Sequence, residues 1–373
     1  MPTKTAIMIG GGPAGALAAL VLKKHGYDAT IYEKRGDIPN PNPEEGVHPF
    51  WDVGGAVDLQ LNAMYGLERL GLVDEVILNS SGHASKVSYA LMDGSDAAYM
   101  EIVPTKPGQK LASVILRSSL HRRRVVGIEQ TDANVTASFA DGSTVVVDIL
   151  IGAGGVSSML RSIVFPEAKP PGRFASAYVG VLDIGKKKGL PDAPPIIFDP
   201  PMAVYMYPLK GNCIFTRFVN EWGAPKHVVD LVRVADRITP IFMWDLPDMP
   251  TQHKGRVLLI GDAGHATLPS LGQGLAMGIK DCGVLHDLMT LLPDSNHAVL
   301  FKLYEKIQLP RLLSIAAKSR EIARYQTASS RIEMWFGRNQ FGLKDSVTGY
   351  IYEHDVARVM ERYKQNADIS SAA

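Results

Sequence analysis

The sequence predicts an α/β protein, with one nucleotide-binding domain assembled from separated pieces of chain, a mostly β domain inserted between them, and helices toward the C-terminal end. Three observations carry this. A strand-like apolar run at the N-terminus ends in Gly10-Gly11-Gly12-Pro13-Ala14-Gly15. Two later apolar runs also end in glycine-rich turns, at Gly152-Ala153-Gly154-Gly155 and at Gly261-Asp262. The chain between these points is a series of short alternating runs punctuated by Gly, Pro and Asp, the pattern of sheet. The pieces 1–80, 111–165 and 255–325 are assigned to the nucleotide-binding domain, 81–110 and 166–254 to the β domain, and 326–373 to a helical segment and tail.

The elements follow in order. KTAIMI (4–9) reads as a buried strand, Gly10 to Gly15 as a turn, and Ala16 to His25 as a helix closed by Gly26. DATIYEKR (28–35) is the second strand and 36–46 a turn-rich loop. Residues 57–77 carry Leu61, Met64, Leu67 and Leu70 at helical spacing and predict a helix. Residues 84–116 read as short strands; 135–155 read as a hairpin turning at Asp141-Gly142 and then a buried strand. Residues 173–245 are strand-like with a short helix near 227–237, 257–260 is another buried strand, and the pattern is helical from about 275.

Composition narrows the function. Lys plus Arg number 39 against 38 acidic residues, a net charge of +1, which gives no footprint for nucleic acid or an anionic membrane. The two cysteines, Cys213 and Cys282, form neither a disulfide framework nor a metal spacing, and reduced thiols in a cytoplasmic compartment are expected, with no metal. The uncharged stretch 5–22 has the length of a membrane span. Three consecutive glycines and a proline interrupt it, and no basic leader precedes it, so strand, turn and helix explain it better.

The N-terminal hexapeptide fits G-x-G-x-x-G in the context that motif needs, after a strand and before a helix. Gly10 permits the tight turn, Gly12 lets the backbone approach a pyrophosphate, and Gly15 lets the helix pack on the strand, with Pro13 and Ala14 between them in the cofactor-binding turn. Backbone N–H groups and the helix dipole then favour a diphosphate. Glu33, followed by Lys34, ends the second strand and can accept hydrogen bonds from an adenosine ribose. An acid there disfavours a 2′-phosphate, so the site suits FAD or NAD rather than NADP.

GDAGHATLPSLGQG (261–274) adds a second anchor, which a simple NAD enzyme does not need and a long flavin nucleotide does. With the N-terminal fingerprint, Glu33 and Arg117 in LRSSLHR, this block resembles the FAD-dependent aromatic hydroxylases of the p-hydroxybenzoate hydroxylase type, the single-component flavoprotein monooxygenases. The resemblance implies a Rossmann-like FAD-binding domain. It places Asp262 on the ribityl hydroxyls and Arg117 along the diphosphate and ribityl part. Pro269 stands beside the reactive flavin carbon, and Gly272, Gln273, Gly274 and Leu275 offer backbone N–H groups to the ring. It implies FAD as cofactor and NAD(P)H as co-substrate. One atom of O2 passes through a flavin C4a-hydroperoxide into an aromatic or polycyclic small molecule. His265 reads as a hydrogen-bonded structural histidine.

Tyr205 and Tyr207 alternate in VYMYPL, and Phe215 and Arg217 share a face of the next strand. Tyr205 and Arg217 are the candidates for binding and deprotonating a phenol, beside the plainer role of covering a sheet. Three departures from the family pattern stand out. Gly154 occupies a position where the family carries an aspartate serving flavin and NAD(P)H. RRRVVGIEQ follows LRSSLH at once, where the family has a helix and a strand. Ala276 replaces a common asparagine. A non-catalytic or degenerate flavin-binding protein, or a flavin oxidase or halogenase on the same fold, are the alternative readings.

Overall fold

The computed structural model describes residues 3–34, 57–59, 61–78, 86–90, 98–101, 113–115, 125–183, 196–199, 202–209, 213–218 and 237–326. In chain order the first elements are β1 (Thr5–Ile9), α1 (Pro13–Lys24), β2 (Asp28–Tyr32), β3 (Val57–Leu59), α2 (Leu61–Leu70) and α3 (Val73–Leu78). Strands β4 (Lys86–Ala90), β5 (Ala98–Glu101), β6 (Ser113–Ile115), β7 (Val125–Gln130), β8 (Val135–Phe139), β9 (Thr144–Val147) and β10 (Ile149–Gly152) come next, and α4 (Met159–Val164) follows them. The β-rich stretch holds β11 (Gly172–Asp183), β12 (Ile196–Asp199), β13 (Met202–Leu209), β14 (Cys213–Phe218) and β15 (Arg237–Asp245). The chain then runs through β16 (His253–Lys254), β17 (Val257–Leu259), α5 (Asp262–His265), a 3-10 turn (Pro269–Leu271), α6 (Gly274–Leu291) and α7 (His297–Gln326).

Pieces far apart in sequence meet in one sheet, ordered β16-β17-β10-β1-β2. β1 pairs in parallel with both β2 and β10, and β10 in parallel with β17, with Ile7 opposite Leu150 and Ile151 opposite Leu258. Alternation along these strands builds two cores. Ala6, Met8, Ile149, Ile151 and Leu258 face α1, α6 and α7, meeting Val21, Leu22, Leu285, Leu288, Phe301 and Tyr304. Ile7, Ile9, Leu150, Val257 and Leu259 face the other way, onto Val125, Val135, Phe139 and Val147 of the β7-β8-β9 meander and onto Leu160 and Val164 of α4. Strands buried on both faces read as continuous apolar runs, which is why 5–9 and 257–260 carry no charge. The 5–22 stretch is thus β1, a glycine turn and most of α1, and none of the described helices is long and apolar enough to cross a membrane.

The second sheet has seven strands, ordered β15-β11-β14-β13-β12-β4-β5, all neighbours antiparallel except β12 and β4. β3 and β6 form a separate two-stranded ribbon.

Two expectations need correction. The helix predicted over 57–77 is β3, α2 and α3: residues 57–59 pair with 113–115, and Gly71, at φ 73°, ends α2 before α3 begins. The first helix starts at Pro13 rather than Ala16, because a proline lacks an N–H that the first turn cannot use and brings a φ that the helix needs. The turn at Asp141-Gly142 and the buried strand after it are present, with Gly142 N–H donating to Phe139 O at 3.0 Å. Residues 227–236 of the expected short helix, the loop 36–46, the junction 116–124 and the segment from 327 onward lie outside the described residues; Arg237 begins β15.

Candidate functional site

The C-terminal ends of three parallel strands converge, the usual place for a ligand in an open α/β sheet. β1 leads into Gly10–Gly12, β10 into Ala153–Gly155, and β17 into Ile260–Asp262. Backbone bonds stitch the ends together: Gly10 N–H to Tyr32 O at 2.8 Å, Ala153 N–H to Ile9 O at 2.8 Å, and Ile260 N–H to Gly152 O at 2.9 Å.

The first turn has no room for side chains. Gly10 has φ 117°, and a Cβ there would stand 2.3 Å from Ala153 O; one on Gly15 would stand 1.9 Å from Gly10 O. Gly12 caps α1 without any side-chain hydrogen bond, so the positive end of this helix is left to a ligand. Gly11 N–H donates to Glu33 Oε2 at 2.8 Å, which ties the acid at the end of β2 to the glycine turn. Lys34 follows it, exposed.

The second turn packs directly on the first. A Cβ on Gly261 would lie 3.1 Å from Ala14 Cβ, and one on Gly278 would lie 3.4 Å from Ala14 Cβ and 3.5 Å from Gly261 Cα. Cys282 Sγ donates to Ala14 O at 3.3 Å, and burial followed by the Asp281 charge pushes this thiol's pKa well up. Gly261, at φ 56° and ψ −150°, precedes α5, and Asp262 is the first residue of that helix, exposed. Asp262 is therefore not an N-cap. Its Oδ1 stands 3.9 Å from where a Cβ on Gly274 would lie, at the start of α6, whose N-cap Gln273 makes no side-chain capping bond. A carboxylate and the positive end of an 18-residue helix thus share one opening.

Side chains beneath the turn hold it. Asp281, fully buried, accepts from Gly261 N–H and His265 Nε2 through Oδ2, at 2.8 and 2.6 Å, and from Gln308 Nε2 through Oδ1 at 2.8 Å. Burial opposes a charge on His265, but the charge and hydrogen bond of Asp281, with the charge of Asp262, outweigh it and raise the His265 pKa. Arg161, also buried, donates to Ala263 O at 3.0 Å and to Val156 O at 2.6 Å, bracing the second turn against the loop before α4. Ser158 Oγ accepts from Arg161 N–H at 3.2 Å and caps that helix.

Farther along, Pro269 and Gly272 are exposed, Gly274 and Leu275 half-buried, and Gln273 fully buried. Gln273 Oε1 accepts from Asn62 Nδ2 of α2 at 2.7 Å. Gly154 sits at the end of β10 with an ordinary backbone, and a Cβ there would meet Ser158 Oγ at 3.3 Å. Tyr205 and Arg217 are register partners on β13 and β14, as are Tyr207 and Phe215. Arg117 lies outside the described residues. Among the described residues no group of His, Cys, Asp and Glu could hold a metal ion.

The sequence reading assigned no role to Asp281, Asn62 or Arg161. The available signal for Asp281 is an acid, next to Lys280, inside an otherwise apolar helical run.

These residues fit a long dinucleotide. Gly10 and Gly15 pack against backbone with no room for a Cβ, α1 and α6 both lack side-chain caps, and Asn62 Oδ1, next to the start of α6, is buried without a hydrogen-bond partner. The fold and site thus define a nucleotide-binding α/β protein. Comparison with known proteins agrees. Residues 8–39 match the NAD(P)-binding Rossmann-like domain and residues 227–315 the FAD binding domain. The chain is 27% identical to a 3-hydroxybenzoate 6-hydroxylase of Klebsiella oxytoca, covering 90% of this chain and 93% of that one. It is 26% identical to a salicylate hydroxylase of Pseudomonas putida, covering 84% of each. The structure of Klebsiella pneumoniae HpxO complexed with FAD and uric acid superposes with a TM-score of 0.78 at 21% identity, covering 94% of this chain and 96% of that one. The chain is a relative of the FAD-dependent aromatic hydroxylases of the p-hydroxybenzoate hydroxylase type.

Proposed function

We propose that the protein is an FAD-dependent monooxygenase that uses NAD(P)H and O2 to hydroxylate a small aromatic substrate. The observation that carries this is the meeting of the two turns: Gly261 against Ala14, with Asp262 at the start of α6. In this reading one FAD runs across both, from Glu33 at the end of β2 to the start of α6.

The start of α1 and the Gly10–Gly12 turn would hold the diphosphate, and Glu33 the adenosine ribose. Asp262 would accept from the ribityl hydroxyls, and the N–H groups of Gly272–Leu275 would face the ring. Bound FAD supplies hydride acceptance from NAD(P)H and the activation of O2. The chain's part is to bind, orient and exclude water. The N-terminus of α6 favours negative charge on the ring, and Pro269, exposed at the rim, marks the reacting edge.

Tyr205 and Arg217 carry the substrate side of this reading, supported by their direct pairing across β13 and β14. An arginine beside a tyrosine suits a ring bearing a phenol or a carboxylate, since its guanidinium stabilises the phenolate and can grip a carboxylate with two bonds. The relatives named 3-hydroxybenzoate 6-hydroxylase and salicylate hydroxylase act on rings of that kind. Residues 1–80, 111–165 and 255–325 form the FAD-binding domain in this reading, and 81–110 with 166–254 the substrate domain. A cytoplasmic location goes with it, supported by the free, buried Cys282.

The test is the visible spectrum of purified protein after incubation with FAD and desalting, followed by addition of NADH or NADPH with and without a hydroxybenzoate. Retained flavin bands, bleached by the nicotinamide and recoloured by air, are expected, with 18O from O2 found in the product. A colourless, folded protein overturns the flavin assignment. Stable bands that no nicotinamide bleaches overturn the monooxygenase in favour of a non-catalytic flavin protein.

A further inference from the structure

Helix α2 reaches the ring-facing turn through a buried amide pair, beside the packing of Leu275 on the α2 cluster. Asn62 is 2% exposed and Gln273 0% exposed, and Asn62 Nδ2 donates to Gln273 Oε1 at 2.7 Å across 211 residues of sequence. Gln273 is flanked by Gly272, at φ 63°, and Gly274. Glycines restrict their own peptide planes little. The one side chain between them is therefore the handle by which the rest of the protein can fix the turn.

The platform holding that handle is rigid. Ala63, Met64 and Leu67 of α2 share a buried cluster with Ala276 and Ile279 of α6. The two helices approach so closely that a Cβ on Gly66 would stand 2.9 Å from Ile279 Cγ2, and one on Gly283 would stand 3.5 Å from Gly66 Cα. Packing alone does not call for two amides here, because replacing both partners of a buried hydrogen bond with apolar groups of the same shape is nearly neutral. Asn62 Oδ1, moreover, is buried with no hydrogen-bond partner, so the pair is not a self-sufficient structural bond.

We propose that Asn62 is a positioning residue for the flavin, acting through Gln273 to set the peptide groups of Gly272–Leu275 that face the ring. This rests on the flavin reading above. The experiment is a double-mutant cycle with Asn62→Leu, Gln273→Met and the double variant. It reads FAD dissociation constants by fluorescence and the melting temperature of each FAD-free protein. Asn62→Leu, which leaves Gln273 Oε1 buried without this donor, is expected to lower the melting temperature of the FAD-free protein and to weaken FAD binding about tenfold. The double variant, which removes both amides, is expected to recover the melting temperature but not the FAD affinity. The double variant is expected to bind no more weakly than Gln273→Met alone, because both changes break one connection. Should Asn62→Leu not fold, Asn62→Ala, which removes the amide without adding bulk, carries the same comparison. Additive losses, unchanged FAD affinity, or an FAD affinity that recovers together with the melting temperature in the double variant would each overturn the proposal. Wild-type protein that takes up no FAD overturns the flavin reading, and this inference with it.

Discussion

His265 Nε2 stands 2.6 Å from Asp281 Oδ2, and the same carboxylate oxygen accepts the Gly261 N–H at 2.8 Å. One buried acid on α6 thus holds both ends of the short segment that presents Asp262. Burial works against a charged His265, and the Asp281 charge and hydrogen bond with the Asp262 charge overcome it, raising the pKa above the ordinary 6.5. A histidine that binds its proton more tightly when folded contributes stability that is whole below that ordinary value. The contribution is lost as pH rises through the raised folded value. Thermal melts of the wild type are expected to fall over that range, and the slope is expected to flatten in His265→Asn. Asp281→Ala strips three buried donors of their acceptor and is expected to cost about 3–5 kcal/mol in denaturant unfolding. A wild-type curve as flat as that of His265→Asn would show that folding does not raise the pKa of this histidine.

Asp262 itself is exposed and lies outside both described cores. Asp262→Ala should leave folding intact by circular dichroism. Each charge-assisted bond to the ribityl hydroxyls is worth about 1.5–3 kcal/mol, so FAD affinity is expected to fall at least tenfold. A variant that kept stoichiometric flavin through desalting would remove Asp262 from the cofactor site.

The parts of this site that could be read from sequence are those whose chemistry is local. Gly10–Gly15 states a turn and a close approach, and Gly261-Asp262 a turn and a charge, each within a few residues at the end of an apolar run. Asp281 is different. Its meaning appears only when α6 returns it against Gly261, and no spacing in the chain announces that return. Asn62 is legible only across the α2–α6 contact. Residues 57–59 show the same limit in the fold. Their periodicity suits a helix, and pairing with 113–115 makes them a strand. Tyr205 and Arg217 stand on separate strands in the sequence, and it is the β13–β14 register that makes them direct partners.

That register gives the substrate prediction. On the proposed role, Arg217→Leu removes the cation facing an anionic ring and is expected to raise the KM for a hydroxybenzoate about tenfold or more. FAD affinity is expected to stay at the wild-type value. Steady-state kinetics beside a flavin titration decide it. A variant with unchanged KM, or one that loses flavin as well, would place Arg217 elsewhere in the mechanism.

Glycines at the strand ends divide sharply, and the division can be tested. A Cβ on Gly15 would lie 1.9 Å from the backbone oxygen of Gly10, which has nowhere to move without opening the turn. Gly15→Ala is therefore expected to abolish FAD binding and to lower the melting temperature. Gly154 is under no such constraint. Its φ lies outside the left-handed region, and the nearest atom to an added Cβ is Ser158 Oγ at 3.3 Å, a side-chain atom that can yield by a few tenths of an ångström. Gly154→Asp should fold with a cost within about 1 kcal/mol. It would place a carboxylate at the end of β10, where the family resemblance leads one to expect an acid for flavin and NAD(P)H. Anaerobic stopped-flow reduction is expected to run faster in this variant than in the wild type, with FAD retained. An unchanged rate would mean that the wild-type protein already binds its reductant without an acid at this strand end. A Gly154→Asp chain that failed to fold would show that the space beside Ser158 is tighter than the geometry indicates.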